Sequence, residues 1–366
     1  MAAIDSLFKT VFDKGASDLH MSSGFKPKMR HDGVIRDMEG QNPLDAATVK
    51  KYLNEIAPAM NWSEFEKTSD TDFAYELKGA ARFRCNFFMD ANGPGGVFRV
   101  IPSKIPTAAE LKLTPAMIDL CQLKKGLVLV TGPTGSGKST TLAALIDHIN
   151  NTRQDHVITI EDPIEFQYTS KNCLINQREV RRHTESFKKA LRAALREDPD
   201  VVLVGEMRDL ETVEMALETA ETGHLVFATL HTSTAPSSID RIIDQFPSGQ
   251  QNQIRIMLSS ALKAVIAQTL CRKIGGGRTA AFEVLISNSA VASNIREAKT
   301  HQIMSIMQIG KAIGMSLLND SLLELVKSKT VAPMEAFWNA VDKKDVFNRL
   351  KEAGFPVDVS KLPGLV

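Results

Sequence analysis

Residues 127–141 read Leu127-Val128-Leu129-Val130-Thr131-Gly132-Pro133-Thr134-Gly135-Ser136-Gly137-Lys138-Ser139-Thr140-Thr141. The apolar run predicts a buried strand, and Gly132 to Ser139 fills the G-x-x-x-x-G-K-[ST] spacing between a strand and a helix. Glycines in such a loop let successive backbone N–H groups turn inward around an anion, and the helix beginning near Lys138 directs its positive end at the same point. A nucleoside triphosphate is the expected ligand. Gly132, Pro133, Thr134, Gly135, Ser136, Gly137 and Thr140 form the cradle, Lys138 reaches the β- and γ-phosphates, and the Ser139 hydroxyl is a ligand for Mg²⁺.

The rest of the chain bounds what surrounds this loop. At 366 residues two domains are expected. Hydrophobic content of 43% and charged content of 24% are those of a globular protein. With Lys+Arg 44 against Asp+Glu 43, no global field draws the chain to nucleic acid or anionic lipid. No apolar run approaches a membrane span, and Met1 to Val11 lacks a signal-peptide pattern, so a cytoplasmic protein is expected. The four cysteines, Cys85, Cys121, Cys173 and Cys271, form no C-x-x-C pair, which argues for reduced, half-buried thiols.

Two regimes of pattern follow one another. Up to about residue 103, alternating stretches and turn signals predict an antiparallel sheet with helices on one face. Pro27–His31 returns through Asp32-Gly33 to Val34–Arg36, and Arg82–Phe87 returns through Asn92-Gly93 to Val97–Val100, with helices at Ala46–Ile56 and Trp62–Lys67. Pro102–Pro115 carries three prolines and reads as a linker. Beyond it, Gly126–Val130, His156–Ile160, Val201–Val204 and Leu225–Thr229 are short apolar strands separated by helices, the mark of a parallel α/β sheet. From Pro247 onward the pattern predicts mostly helix, with stripes at Ile254, Leu258, Leu262 and at Ile303, Ile306, Met307. The Met304–Met315 stretch is expected to pack as core.

A phosphate loop alone establishes binding, so hydrolysis needs further groups. Ile160-Glu161-Asp162-Pro163-Ile164-Glu165 places three carboxylates after the second parallel strand. Glu165 is the candidate to polarise the attacking water, with Glu161 and Asp162 on metal-bound water or loop geometry. Asp200–Glu206 resembles a Walker B strand in which Gly205 stands where an aspartate is usual, leaving Glu206 to act on the metal through water or to share the base role. Arg196, Arg208 and Arg241 are expected just beyond strand or helix ends on one side, as candidates to stabilise transition-state charge. His224 and His231 bracket the fourth strand and suggest a γ-phosphate sensor.

These blocks, in this order, resemble the signatures of the secretion ATPase superfamily, in the branch of type IV pilus retraction motors, over nearly the whole chain. Ala16-Ser17-Asp18-Leu19-His20 also looks like that family's amino-terminal domain. The resemblance implies a PAS-like α+β domain at 1–103, a linker at 104–115 and a RecA-like ATPase domain at 116–366 with a helical C-terminal region. It further implies a homo-hexameric ring, ATP bound between the domains, and arginines acting across subunit boundaries. The work done would be pilus retraction from the cytoplasmic face of the inner membrane, against a membrane platform protein and with a paralogous retraction ATPase as a further partner.

Retraction members usually show Ala-Ile-Arg-Asn-Leu-Ile-Arg-Glu near their end, where this chain has Ala290-Val291-Ala292-Ser293-Asn294-Ile295-Arg296-Glu297. An accessory or nucleotide-gated regulatory subunit is therefore the second reading. A nucleic-acid translocase is the third, and near-neutral charge without a basic-aromatic platform weighs against it.

Overall fold

The computed structural model describes residues 2–31, 33–101, 104–355 and 357. Asp32 of the first turn, Pro102 and Ser103 at the expected domain boundary, and 358–366 of the tail lie outside the described residues. The chain forms two compact units, Met1–Lys104 with Pro163–Gln167, and Ile105–Asp162 with Tyr168–Val366.

In the first unit the order is α1 (Asp5–Asp13), β1 (Asp18–Ser22), β2 (Lys28–His31), β3 (Val34–Asp37), α2 (Ala46–Ile56), α3 (Ala59–Thr68), β4 (Asp70–Leu77), β5 (Ala81–Asp90) and β6 (Gly93–Ile101). The six strands pair antiparallel in the order β3-β2-β1-β6-β5-β4. Strict alternation along β5 turns Phe83, Cys85 and Phe87 inward, where they meet Phe8 of α1 and Phe98 of β6. Phe8 stacks on Phe83 with ring centroids 4.3 Å apart. Asp45 caps α2 by accepting from the Thr48 amide at 2.7 Å. Asp18, from the early motif, is buried and accepts from Arg99 Nε at 3.0 Å, which pins β1 to β6.

The second unit begins with Ile105, so most of the expected linker belongs to it, with Ala108 and Leu113 buried in its core. It runs α4 (Pro115–Asp119), β7 (Gly126–Thr131), α5 (Lys138–Thr152), β8 (His156–Glu161), β9 (Leu174–Glu179), α6 (Phe187–Ala194), β10 (Val201–Val204), α7 (Leu210–Glu221), β11 (Leu225–Leu230), α8 (Ala235–Asp244) and α9 (Ser248–Ala261). Then come β12 (Leu262–Arg272), β13 (Arg278–Ile286), α10 (Ser289–Arg296), α11 (Ile303–Ile309), α12 (Leu318–Lys327), α13 (Pro333–Asn339) and α14 (Lys343–Glu352). The sheet order is β13-β12-β7-β11-β10-β8-β9, parallel except for β13. β7, β10 and β11 are buried along their whole length, as continuous apolar runs require when helices cover both faces.

The expectation of mostly helix after Pro247 is corrected here. The Ile254, Leu258, Leu262 stripe ends with α9 at Ala261, and Leu262 opens an eleven-residue strand. β12 pairs parallel with β7 and antiparallel with β13. The turn between them holds Gly275, Gly276 and Gly277, all at positive φ, a conformation glycine adopts without a Cβ penalty. Met307 and Met315 are buried as expected of core residues, but Met304, Ile309 and Ile313 of the same stretch are exposed, so Met304–Met315 packs as core only in part. Helices α12, α13 and α14 share a separate core with Cys271 and Ala281 of the hairpin, including Leu322, Val326, Phe337, Val346 and Leu350.

All four cysteines are buried rather than half-buried. Burial pushes the Cys121 and Cys271 thiols up to about 12 and raises Cys85 and Cys173 as well. Thiolate is the reactive form, so native protein at pH about 8 should resist iodoacetamide at all four sites and be alkylated in denaturant, as read by intact mass. Modification of the native protein at any of them would contradict this packing. Among the described residues, no helix is long and apolar enough to cross a membrane.

Candidate functional site

The parallel registers bring the carboxyl ends of β7, β8, β10 and β11 to one edge, because Thr131 pairs with Leu230, Ala228 with Val204, and Val204 with Ile160. Ligands bind at that edge in open α/β sheets. The 132–139 loop leaves β7 there and enters α5 at Lys138, with Gly137 as N-cap at φ +89°. Gly132 (φ +147°) and Gly135 (φ +79°) also lie in the left-handed region. A Cβ on Gly132 would stand 2.3 Å from the Gln268 carbonyl oxygen and 2.5 Å from Ser136 Oγ. This position therefore admits glycine alone.

The loop fits a phosphate group by geometry and by charge. The Lys138, Ser139 and Thr140 amides open α5, and the first N–H groups of a helix point along its axis out of the N-terminus, the arrangement that binds anions. Lys138 Nζ donates to the carbonyl oxygens of Gly132 at 2.8 Å and Pro133 at 3.2 Å, which holds the ammonium over the loop. Ser139 and Thr140 are half-buried in the first helical turn.

Next to it stands a charged relay. Glu206, just past β10, pairs through Oε2 with Arg208 at 2.7 Å and through Oε1 with His231 Nε2 at 2.8 Å. His231 Nδ1 in turn lies 3.5 Å from Lys138 Nζ. That geometry suits the tautomer in which Nε2–H donates to Glu206 and Nδ1 faces the ammonium. Burial pushes the Glu206 carboxyl up, but the Arg208 guanidinium and the His231 imidazole outweigh it and hold the group below its ordinary range. Glu206 is thus a carboxylate tied to the residue that follows β11.

Gly205, where an aspartate is usual, sits in a tight contact between strands. Its absent Cβ would lie 3.2 Å from both Glu161 Cα and the Ile160 carbonyl oxygen, so β10 and β8 close tightly here. The Gly205 amide donates to Ile160 O at 2.7 Å, and Thr229 Oγ1 donates to Gly205 O at 2.5 Å. Glu161 is largely buried, its Oε1 accepting from Thr159 Oγ1 at 2.7 Å and Gln177 Nε2 at 3.3 Å. Thr232 and Thr131 are joined through Ser238 Oγ, at 2.6 and 3.3 Å, which ties the segment after β11 to the foot of the phosphate loop.

Other expected site residues fall elsewhere. His224 precedes β11, and its ring Nδ1 lies 3.1 Å from Thr219 O. The Gly126 amide, at the start of β7, donates to His224 O at 3.0 Å. Within one chain His224 is therefore at the amino edge of the sheet, a full strand away from the loop, and does not bracket the site with His231. Arg196 is corrected for the same reason. It follows α6 and precedes β10, and the Asp200 amide just ahead of β10 donates to His156 O at the start of β8. Arg241 is exposed in the last turn of α8. Of the three arginines only Arg208 touches the cluster. Glu165 belongs to the Pro163–Gln167 segment of the first unit, where its Oε1 lies 4.0 Å from Arg84 NH1. Gln268, whose Nε2 donates to Ser136 O at 2.6 Å, is not among the expected site residues. An amide in a strand of otherwise apolar and small residues, Ala264-Val265-Ile266-Ala267-Gln268, was the available signal. Among the described residues, no three His, Cys, Asp or Glu side chains are grouped to hold a metal on their own.

Comparisons with known proteins find relatives over most of the chain. The family described as type II/IV secretion system protein matches residues 1–314. The type IV pilus retractation ATPase PilT of Pseudomonas aeruginosa is 52% identical over 313 residues, 86% of this chain and 91% of that protein. The type IV pilus ATPase PilU of the same organism is 36% identical over 343 residues, 93% of this chain and 90% of its own length. A crystal structure of the pilus retraction motor PilT with bound ADP superposes with a TM-score of 0.85 at 45% identity, covering 93% of this chain and 98% of that one.

Proposed function

The chain belongs to the type II/IV secretion system protein family, and from that membership we propose that it is the ATPase motor that retracts type IV pili. The single observation that carries the reading is the junction of a complete phosphate loop with the Lys138–His231–Glu206–Arg208 relay. Identity of 52% to a retraction ATPase over most of both chains, against 36% to PilU, supports retraction over an accessory role.

In this reading the loop amides and Lys138 hold the β- and γ-phosphates, and Glu206 and Glu165 divide the work of orienting water. Glu165 is our candidate for the group that polarises the nucleophile. Mg²⁺, when bound with the nucleotide, neutralises developing phosphate charge. It takes few protein ligands, so the Ser139 hydroxyl directly and Glu206 through water suffice, while Glu161 holds the loop geometry through Thr159 and Gln177. His231 senses the γ-phosphate because it lies against Lys138 on one side and Glu206 on the other. Arg208 balances charge within the chain. Arg196 and His224, at the amino edge of the sheet in one chain, and Arg241, exposed in the last turn of α8, are our candidates for action across a subunit boundary.

A homo-hexamer supplies such boundaries, since a closed ring uses every heterologous interface. The motor would work at the pilus base, on the cytoplasmic face of the inner membrane, by pushing on the platform protein, with a paralogous ATPase as a further partner. The accessory reading rests on Ala290–Glu297, which in the structure is α10 with Val291 and Ile295 buried.

Purified protein should release phosphate from MgATP, and Glu165→Gln should lower turnover about 10²–10⁴-fold, the usual contribution of a positioned base. Full turnover by that variant would remove Glu165 from the role. A deletion strain carrying this gene should crawl on surfaces and lose its excess pili. Persistent hyperpiliation at normal protein levels would favour the accessory reading.

A further inference from the structure

Both ends of the phosphate loop lean on one residue of the neighbouring strand. Gln268 of β12 presents its backbone carbonyl to Gly132, where a Cβ would sit 2.3 Å away, and its side-chain amide to the loop's far end, where Nε2 donates to Ser136 O at 2.6 Å. Gln268 is only 3% exposed. In a trans peptide the carbonyl and the following N–H point in opposite directions. Fixing Ser136 O against β12 therefore turns the Gly137 N–H away from β12, toward the interior of the loop.

We propose that Gln268 is a positioning residue for nucleotide binding, which holds the Ser136–Gly137 peptide with its N–H aimed at the phosphates. This rests on the reading of the loop as a triphosphate site and adds a residue to it. Two further observations support a special role for the junction. Gln268 Oε1 and Ser136 Oγ are both buried without hydrogen-bond partners, an arrangement that costs stability and is uncommon where packing alone is at stake. The next residue, Thr269, meets Asn339 Oδ1 of α13 at 3.1 Å, and the Arg272 amide donates to Glu335 Oε1 of the same helix at 2.9 Å. Helix α13 lies beyond residue 314, where the family match ends. The C-terminal helices thereby brace the strand that sets the loop.

The test is nucleotide affinity in the full-length protein, measured with a fluorescent ADP and with MgATP kinetics. Gln268→Met keeps the length and removes both polar atoms. It should raise Kd and KM about tenfold while kcat changes less than threefold and the melting temperature stays within a few degrees. Gln268→Glu should be worse, because a second acceptor would face Ser136 O. Gln268→Asn, too short to reach, should repeat the loss of Gln268→Met and serves if that variant does not fold. Lys138→Ala run in parallel separates the two levels. If it binds nucleotide like the wild type, the site itself is misread. If it fails and all folded Gln268 variants bind within twofold of the wild type, or weaken only in step with melting temperature, the positioning role is wrong.

Discussion

Lys138→Ala is expected to abolish ATP hydrolysis, with phosphate release falling at least about 10²–10³-fold, the scale seen when one preorganised charge donor is removed from a reaction centre. Phosphoryl transfer asks little covalent chemistry of a protein and much neutralisation of charge, so an ammonium held at the loop supplies a large share of the effect. The structure fixes that ammonium from two sides, by the Gly132 and Pro133 carbonyl oxygens and by His231 Nδ1. Pro133 and His231 are exposed and Lys138 itself is half-buried at the helix start, so the variant should fold. Steady-state phosphate release, circular dichroism and gel filtration together check the expectation. A folded variant with turnover within tenfold of the wild type would refute it.

Glu206→Gln should separate hydrolysis from binding. The substitution keeps size and shape but removes the charge that pairs with Arg208 and His231, at 2.7 and 2.8 Å. Turnover should drop about 10²–10⁴-fold. Nucleotide affinity should stay within a few-fold, because the loop and Lys138 are untouched. Loss of binding in parallel with turnover would show instead that the relay only shapes the loop. The same pair makes a statement about pH. The Glu206 carboxyl is held below its ordinary value in the folded chain, so its contribution to stability is present above the unfolded carboxylate range and disappears as pH falls through the lowered native value. Denaturant midpoints of wild type and Glu206→Gln should differ near neutrality and converge in strong acid.

Much of this site was legible because its elements have strong local signatures. Four short, mostly apolar runs separated by helical patterns read as buried parallel strands, and Gly132–Ser139 fills the phosphate-loop spacing between a strand and a helix. The residues placed wrongly share one cause. His224 and His231 are both next to β11, yet a parallel strand has a functional end and a remote one, and only the residue after the strand reaches the loop. Arg196 precedes β10 and fails in the same way, whereas Arg208 follows it and joins the cluster.

The hairpin of β12 and β13 was missed for a different reason. Ile254, Leu258 and Leu262 continue the helical spacing across the true helix end, and the small residues of β12 carry little strand preference. Its signals were the three consecutive glycines at the turn and the Val265-Ile266 pair. Missing it hid Gln268, since the residue's role exists only once β12 is known to lie beside β7. The separation of Glu161 and Glu165 between two compact units was likewise invisible from an acidic hexapeptide.

The three helices that follow residue 314 have a practical meaning for anyone who trims this protein. They share a hydrophobic interior with Cys271 and Ala281, and the Ala235 and Leu318 amides of α8 and α12 both reach the buried Glu283 of β13. The family match ends at residue 314, before them, but the folding unit does not. A recombinant fragment ended at residue 314 would present a raw oily flank to solvent, and the limit of the family match is a poor guide to where the chain can be cut.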